Sequence, residues 1–141
     1  MFTDLYNTDI LSLSAALRNE VLENPQGNAR KVSKLCGSWV EIDINVDGRV
    51  VSECALRVQA CALGQASAAI LKERIINATI DEIRAARDGL HTMLKQGSEP
   101  PKGRFEKLAL LAGVSEYPAR HTSTMLAFDA AVEAMEMALG D

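Results

Sequence analysis

Three cysteines and two histidines are the side chains of this 141-residue sequence best suited to soft-metal or sulfur chemistry. Cys36 lies in Leu35-Cys36-Gly37-Ser38, just ahead of a strongly alternating apolar stretch, and Cys61 ends a second such stretch. A thiol at a helix start faces unpaired backbone N–H groups and the positive end of the helix dipole, a setting that suits a sulfur anion. The small-residue run beginning at Ala62 puts Cys61 in that setting. If the two alternating stretches form a hairpin, Cys36 before the first strand and Cys61 after the second share one end of it. Two thiolates so placed make half of a metal site. The same positions also suit two buried cysteines packing as small hydrophobes, and their separation matches no zinc-finger spacing. Cys54 falls on the apolar face of the second stretch with Leu56 and Val58, a core position.

His121, in Ala119-Arg120-His121-Thr122-Ser123, stands at the entry to the last helix. Either its neutral imidazole supplies a third metal ligand, or it is a surface residue beside an N-cap provided by Thr122 or Ser123. His91, mid-helix beside Leu90, reads as solvated and is assigned no role.

The elements that must position these residues are readable from periodicity. Ile10, Leu13, Leu17 and Val21 predict an amphipathic helix over roughly Asp9 to Leu22, stopped by Asn24-Pro25-Gln26-Gly27-Asn28. A weak strand is expected around Ala29 to Lys34. Val40, Ile42, Ile44 and Val46 alternate with Glu41, Asp43 and Asn45, and Asp47-Gly48 signals a type I′ hairpin turn. The return strand should place Val50, Cys54, Leu56 and Val58 on one face and Val51, Glu53, Arg57 and Gln59 on the other.

A close-packed helix follows from about Ala62 to Ile76. Thr79-Ile80-Asp81-Glu82 has the form of a capping box, opening a helix with Ile83, Ala86, Leu90 and Leu94 inward and an end near Gly97. Ser98 to Gly103 reads as a surface loop, and Phe105 to Ala112 as a short helix stopping at Gly113. The final helix, about Ser123 to Leu139, buries Met125, Phe128, Val132, Met135 and Leu139. The reading is one α+β domain over residues 1–141, with a small antiparallel β-sheet of about three strands and helices packed on one face.

Composition removes several function classes. Apolar residues make up 48% and charged residues 24%, the balance of a soluble globular chain. A net charge of −4, with no Lys/Arg cluster interleaved with aromatics, argues against nucleic acid. No stretch approaches the roughly 20 apolar residues that span a bilayer, so no membrane role is expected. The N-terminus has no basic n-region and no long apolar run, and three cysteines do not make a disulfide framework. A reduced, cytoplasmic protein is the expectation.

Taken together, the segments resemble the NifU-like amino-terminal domain family of iron–sulfur scaffolds, the NifU/IscU/SufU group. The resemblance rests on Leu35-Cys36-Gly37 followed by the alternating strand and Asp47-Gly48. It continues in Cys61-Ala62-Leu63-Gly64-Gln65-Ala66-Ser67-Ala68-Ala69, similar to the family's Cys-x-x-x-x-Ala-Ser-Ala/Ser stretch, and in Val114 to Arg120, then Leu126-Ala127. A long segment before Tyr117-Pro118-Ala119-Arg120 is similar to the SufU branch. The Leu-Pro-Pro-Val-Lys stretch that IscU-type members offer to an Hsp70 chaperone is replaced, which removes that partner from the expectation.

The resemblance implies three cysteines and an aspartate at the site. Cys36 and Cys61 match the first two cysteines, Ser38 stands at the aspartate's position, and Ser123 at the third cysteine's. A serine hydroxyl is a poor iron or zinc ligand because it must lose a proton of far higher pKa. His121, two residues before Ser123, is the residue that could compensate, so the expected ligands are Cys36, Cys61 and His121.

The implied function is a non-enzymatic scaffold. It would accept sulfur from a cysteine desulfurase and iron, hold a transient iron–sulfur cluster or metal, and pass it to iron–sulfur apo-proteins, with a homodimer left open. Two alternatives stand beside it: a zinc-binding protein that accepts persulfide sulfur at Cys36 or Cys61, and a degenerate regulatory paralogue that keeps only the fold.

Overall fold

The structure is a computed structural model and describes residues 5–140. Its first helix, α1 (Thr8–Ala16), opens on an Asn7 side chain that accepts the Ile10 N–H at 3.0 Å, and buries Ile10 and Leu13. It is shorter than its apolar spacing suggests. At Leu17 the backbone turns to ψ 133°, and the chain runs on beside the sheet, leaving Val21 71% exposed. The reason lies in strand β3 (Val50–Gln59), whose outer edge needs hydrogen-bond partners. Glu20 N–H donates to Leu56 C=O at 2.9 Å, and the Asn19 side chain accepts from Val58 N–H at 3.0 Å.

The sheet is an antiparallel meander in the order β1 (Gly27–Val32), β2 (Trp39–Asp47), β3. Ile42 pairs with Leu56, Val40 with Val58 and Ile44 with Cys54, and these six form the inner face. Gly27 is where the last helix crosses β1. A Cβ there would lie 2.0 Å from the Ala134 carbonyl oxygen, so only glycine allows the approach.

Two features of the hairpin differ from the sequence reading. The turn residues are Gly48 and Arg49, and only Gly48 has positive φ (63°), the pattern of a type II′ rather than a type I′ turn. Next, Asn45 pairs with Glu53 but Val46 with Val51, so Ser52 is an extra residue. This bulge turns Val51 fully inward and Val50 partly outward, reversing their expected faces. On the outer face Asp43 is nearly buried, held by both guanidinium nitrogens of Arg57 (3.0 and 3.1 Å), the Asn28 amide (2.7 Å) and Leu22 N–H (3.1 Å). Burial alone would raise its pKa; the hydrogen bonds from Arg57, Asn28 and Leu22 outweigh that and hold it below the ordinary value.

Helices α2 (Ala62–Arg74) and α4 (His121–Leu139) cover the inner face, and α3 (Ile80–Gln96) packs on α4. The Thr79–Glu82 capping box forms in both directions, and α3 ends on Gly97 in the left-handed region at φ 66°. Residues Gly103–Glu116 form successive 3₁₀ turns with a kink at Phe105, in place of a short α-helix stopped at Gly113. Phe105, Leu108, Leu111 and Val114 are all buried, and a three-residue apolar period matches a helix of three residues per turn. A further 3₁₀ turn, Pro118–Arg120, leads into α4, which starts earlier than its serine suggests. The Ser123 and Thr124 hydroxyls donate back to the Arg120 carbonyl instead of capping. Along α4, Met125, Phe128, Val132 and Met135 are buried as expected; Leu139 is only partly so.

Candidate functional site

Both ladders of the sheet terminate at Trp39, which pairs with Val32 on one side and Gln59 on the other. The β1–β2 turn carrying Cys36 and the β3–α2 junction carrying Cys61 therefore project from the same end of the sheet. The turn is clamped by Ser33 N–H to Ser38 C=O (2.7 Å) and Gly37 N–H to Ser33 C=O (2.8 Å), with Gly37 at φ 73° closing it. The clamp leaves Cys36 exposed but tucks both serine side chains beneath it. The Cys36 Sγ lies 3.4 Å from Ser33 Oγ and 3.1 Å from Ser38 Oγ. Hydrogen bonds with the Ser33 and Ser38 hydroxyls, then the Ser38 backbone, lower the thiol to about 7 against a small desolvation cost, with Arg120 adding its positive charge. At neutral pH much of Cys36 is thiolate.

Cys61 is the N-cap of α2, half-buried and without a side-chain capping bond. Its Sγ lies 3.6 Å from Ser123 Oγ on the first turn of α4. Gly64 makes this approach possible: a Cβ there would stand 2.8 Å from Ala60 Cβ and 3.1 Å from the Ser123 carbonyl oxygen. The approach to α4 thus bears on both thiols, on Cys36 through the charge of Arg120 and on Cys61 through contact with Ser123.

His121 is not a surface residue. It is 4% exposed, and its Nε2 lies 3.0 Å from Val114 C=O and 3.3 Å from Ser115 C=O, so this nitrogen carries the proton. Its Nδ1 is buried with no hydrogen-bond partner among the described residues. Among the described residues, no group of three or more His, Cys, Asp and Glu side chains is arranged to hold a metal ion. The Cys36, Cys61 and His121 set is therefore not gathered as a closed ligand shell. Cys54, opposite Ile44, is pushed up to about 12 by burial and is a core residue. His91 is exposed on α3.

What the residue types alone did not reveal is the hydroxyl pair around Cys36. Serines three residues before and two after a cysteine in a tight turn are the only trace of it in the sequence.

The NifU-like N terminal domain family matches residues 5–124 of this sequence. The chain belongs to that family. It superposes on the N-terminal part of a nitrogen-fixing NifU-like protein from Brucella abortus with a TM-score of 0.95 at 40% identity, covering 99% of this chain and 98% of the other. An iron–sulfur cluster assembly scaffold protein, IscU, from Thermotoga maritima is 28% identical over 101 residues, 72% of this chain and 70% of that protein. The IscU of Streptococcus pyogenes serotype M1 is 25% identical over 101 residues, and the match spans 64% of its length. A SUF-system scaffold, the SufU of Fervidobacterium islandicum AW-1, shares the fold at a TM-score of 0.85 and 22% identity.

The sequence relatives of this NifU-like domain are thus IscU-type scaffolds of iron–sulfur cluster assembly. The positions that the resemblance pairs with the family's aspartate and third cysteine, Ser38 and Ser123, are buried hydroxyls, each within 3.6 Å of a cysteine sulfur. Among the described residues, no helix is long and apolar enough to cross a membrane.

Proposed function

We propose that this protein is an iron–sulfur cluster assembly scaffold whose cargo is held at Cys36 and Cys61 and released to apo-proteins. The observation that carries the reading is the placing of two free thiols at one end of the sheet, one of them an exposed sulfur at about 7, in a NifU-like frame. Sulfur would come from a cysteine desulfurase. A Cys36 thiolate attacks the outer sulfur of the donor persulfide, R–S–SH; the Cys36 sulfur gains that SH, and R–S⁻ leaves. Iron then meets two cysteine sulfurs at the end of the sheet. His121 is the third ligand in this proposal: Nε2–H is fixed on backbone carbonyls, the usual support of a metal-bound imidazole, and Nδ1 keeps a free lone pair. A site of two thiolates and one imidazole leaves a position for sulfide or a partner's ligand. The protein itself catalyses no turnover in this account, and three free cysteines fit a reducing cytoplasm.

The exposed, low-lying Cys36 thiol also favours a second reading, a zinc-binding sulfur-transfer protein that carries persulfide without building a cluster. Anaerobic incubation with ferrous iron, cysteine and a cysteine desulfurase, followed by iron, zinc and acid-labile sulfide analysis, separates the readings. Iron with equimolar sulfide, lost in Cys36→Ser and Cys61→Ser, supports the scaffold. Zinc with sulfane sulfur and no labile sulfide supports transfer. Neither metal nor sulfur would reduce the chain to a regulatory relative that keeps only the fold.

A further inference from the structure

The two exposed-end cysteines differ in the direction of their hydrogen bonds. Beside Cys36, Ser33 is 1% exposed and Ser38 7%, and neither hydroxyl makes another side-chain hydrogen bond among the described residues. The Cys36 thiol donates to Ser33, whereas the Ser38 proton is free to point at the sulfur. Beside Cys61, Ser123 donates its proton to the Arg120 carbonyl at 3.2 Å, so toward Cys61 it can only accept. A hydroxyl proton steadies a sulfur anion, whereas a hydroxyl lone pair needs a thiol proton to meet it.

We propose that Ser38 is a positioning residue that makes Cys36 the entry point for sulfur, leaving Cys61 to act after it. This rests on the scaffold or transfer reading above for the source of sulfur, but the hydroxyl cradle itself does not. In the transfer step Cys36–S⁻ bonds to the outer sulfur of R–S–SH, the S–S bond of the donor breaks, and R–S⁻ departs with the electron pair. Charge and atoms balance, with no oxidant needed. The two serines fix the sulfur facing outward on a clamped turn, and the Ser38 proton can follow the charge onto the new terminal sulfur. Neither role demands that serine be a ligand, and a hydroxyl suits hydrogen bonding to sulfur better than ligation of iron.

The test uses the reduced, metal-free full chain and glutathione persulfide as donor at one pH, with the modified cysteine located by peptide mass. The parent should gain one sulfur at Cys36 before Cys61. Ser38→Ala should slow Cys36 several-fold, while Ser38→Thr, which keeps a hydroxyl, should recover most of the rate. Iodoacetamide alkylation of the same variants should show the same order at Cys36 with the Cys61 rate unmoved, a pattern that general unfolding would not give. Sulfur appearing first at Cys61, or Ser38→Ala loading Cys36 as fast as the parent, would overturn the proposal. If the serine-dependent preference holds while the parent accumulates no iron and sulfide, the scaffold reading fails and the cradle stands.

Discussion

Gly64→Ala is the substitution that tests whether close packing of α2 on α4 builds the Cys61 side of the site. The new methyl would sit 2.8 Å from Ala60 Cβ and 3.1 Å from the Ser123 carbonyl oxygen. Carbon atoms in contact prefer about 3.5–4.0 Å, and neither neighbour is the free end of a flexible chain, so the first turn of α2 must move off α4. Overpacking of this kind costs about 1–3 kcal/mol. Replacing glycine in a helix returns about 0.5–1 kcal/mol, less in a first turn. The net expectation is a loss of about 1–2 kcal/mol. With a urea slope of about 1–3 kcal/mol per molar, the midpoint should fall by roughly half a molar to one molar at unchanged slope. The displaced turn also widens the 3.6 Å Cys61–Ser123 approach, so iron and sulfide retention should drop in parallel. Gly113→Ala is the matched control: its methyl would meet only Leu5 Cδ1 at 3.7 Å, an ordinary contact. A Gly64→Ala protein as stable as the parent, with full retention of iron and sulfide, would refute the packing argument.

Cys54→Ala should cost about 1 kcal/mol of unfolding free energy by loss of a buried sulfur, and leave iron and sulfide content intact. Asp43→Asn should cost about 2 kcal/mol at pH 7, because the partly buried Arg57 guanidinium loses its paired charge-assisted hydrogen bonds and keeps only Glu41, at 3.4 Å, as a charged partner. Since the folded Asp43 pKa lies below its ordinary value, this stabilisation is present above about pH 4 and fades as pH falls through the folded pKa. Urea midpoints measured against pH should show the parent falling in acid and converging on the variant. His121→Gln keeps a donor for the Val114 and Ser115 carbonyls but lacks the imidazole Nδ1. It should fold with stability near the parent's and lose iron faster to a competing chelator. Equal retention would make His121 a brace for the 3₁₀ segment and no more.

How much of this was legible in the sequence depended on whether a residue's neighbours were local. The alternation from Val40 to Val46 and the Thr79–Glu82 box act within a few residues, and both formed as read. The stop of α1 at Ala16 was hidden because its cause, the open edge of β3, lies some forty positions away. The Ser52 bulge reversed Val50 and Val51 for a similar reason: the 77–79 segment pairs with them, through Val51 N–H to Ala78 C=O and Asn77 N–H to Val51 C=O. By contrast, the period of three at Phe105, Leu108, Leu111 and Val114 was present in the sequence, and a 3.6-residue template passes over it. At the site, the shared end of Cys36 and Cys61 followed from hairpin topology. The burial of His121 did not, because the carbonyls that hold it belong to the 3₁₀ segment. The serine cradle needed the turn's hydrogen bonds before its two hydroxyls could be seen to meet one sulfur.

Delivery of a labile cluster from Cys36 and Cys61 is read directly by transfer to a recipient. The parent protein, loaded anaerobically by iron, cysteine and a cysteine desulfurase and freed of excess reagents, is mixed with an apo-ferredoxin, and the ferredoxin's visible spectrum is followed. The spectrum should appear with the parent and with Cys54→Ala, and be absent with Cys36→Ser and with Cys61→Ser. Transfer undiminished in either serine variant, or none from a parent that carries measured iron and sulfide, would contradict delivery from these two cysteines.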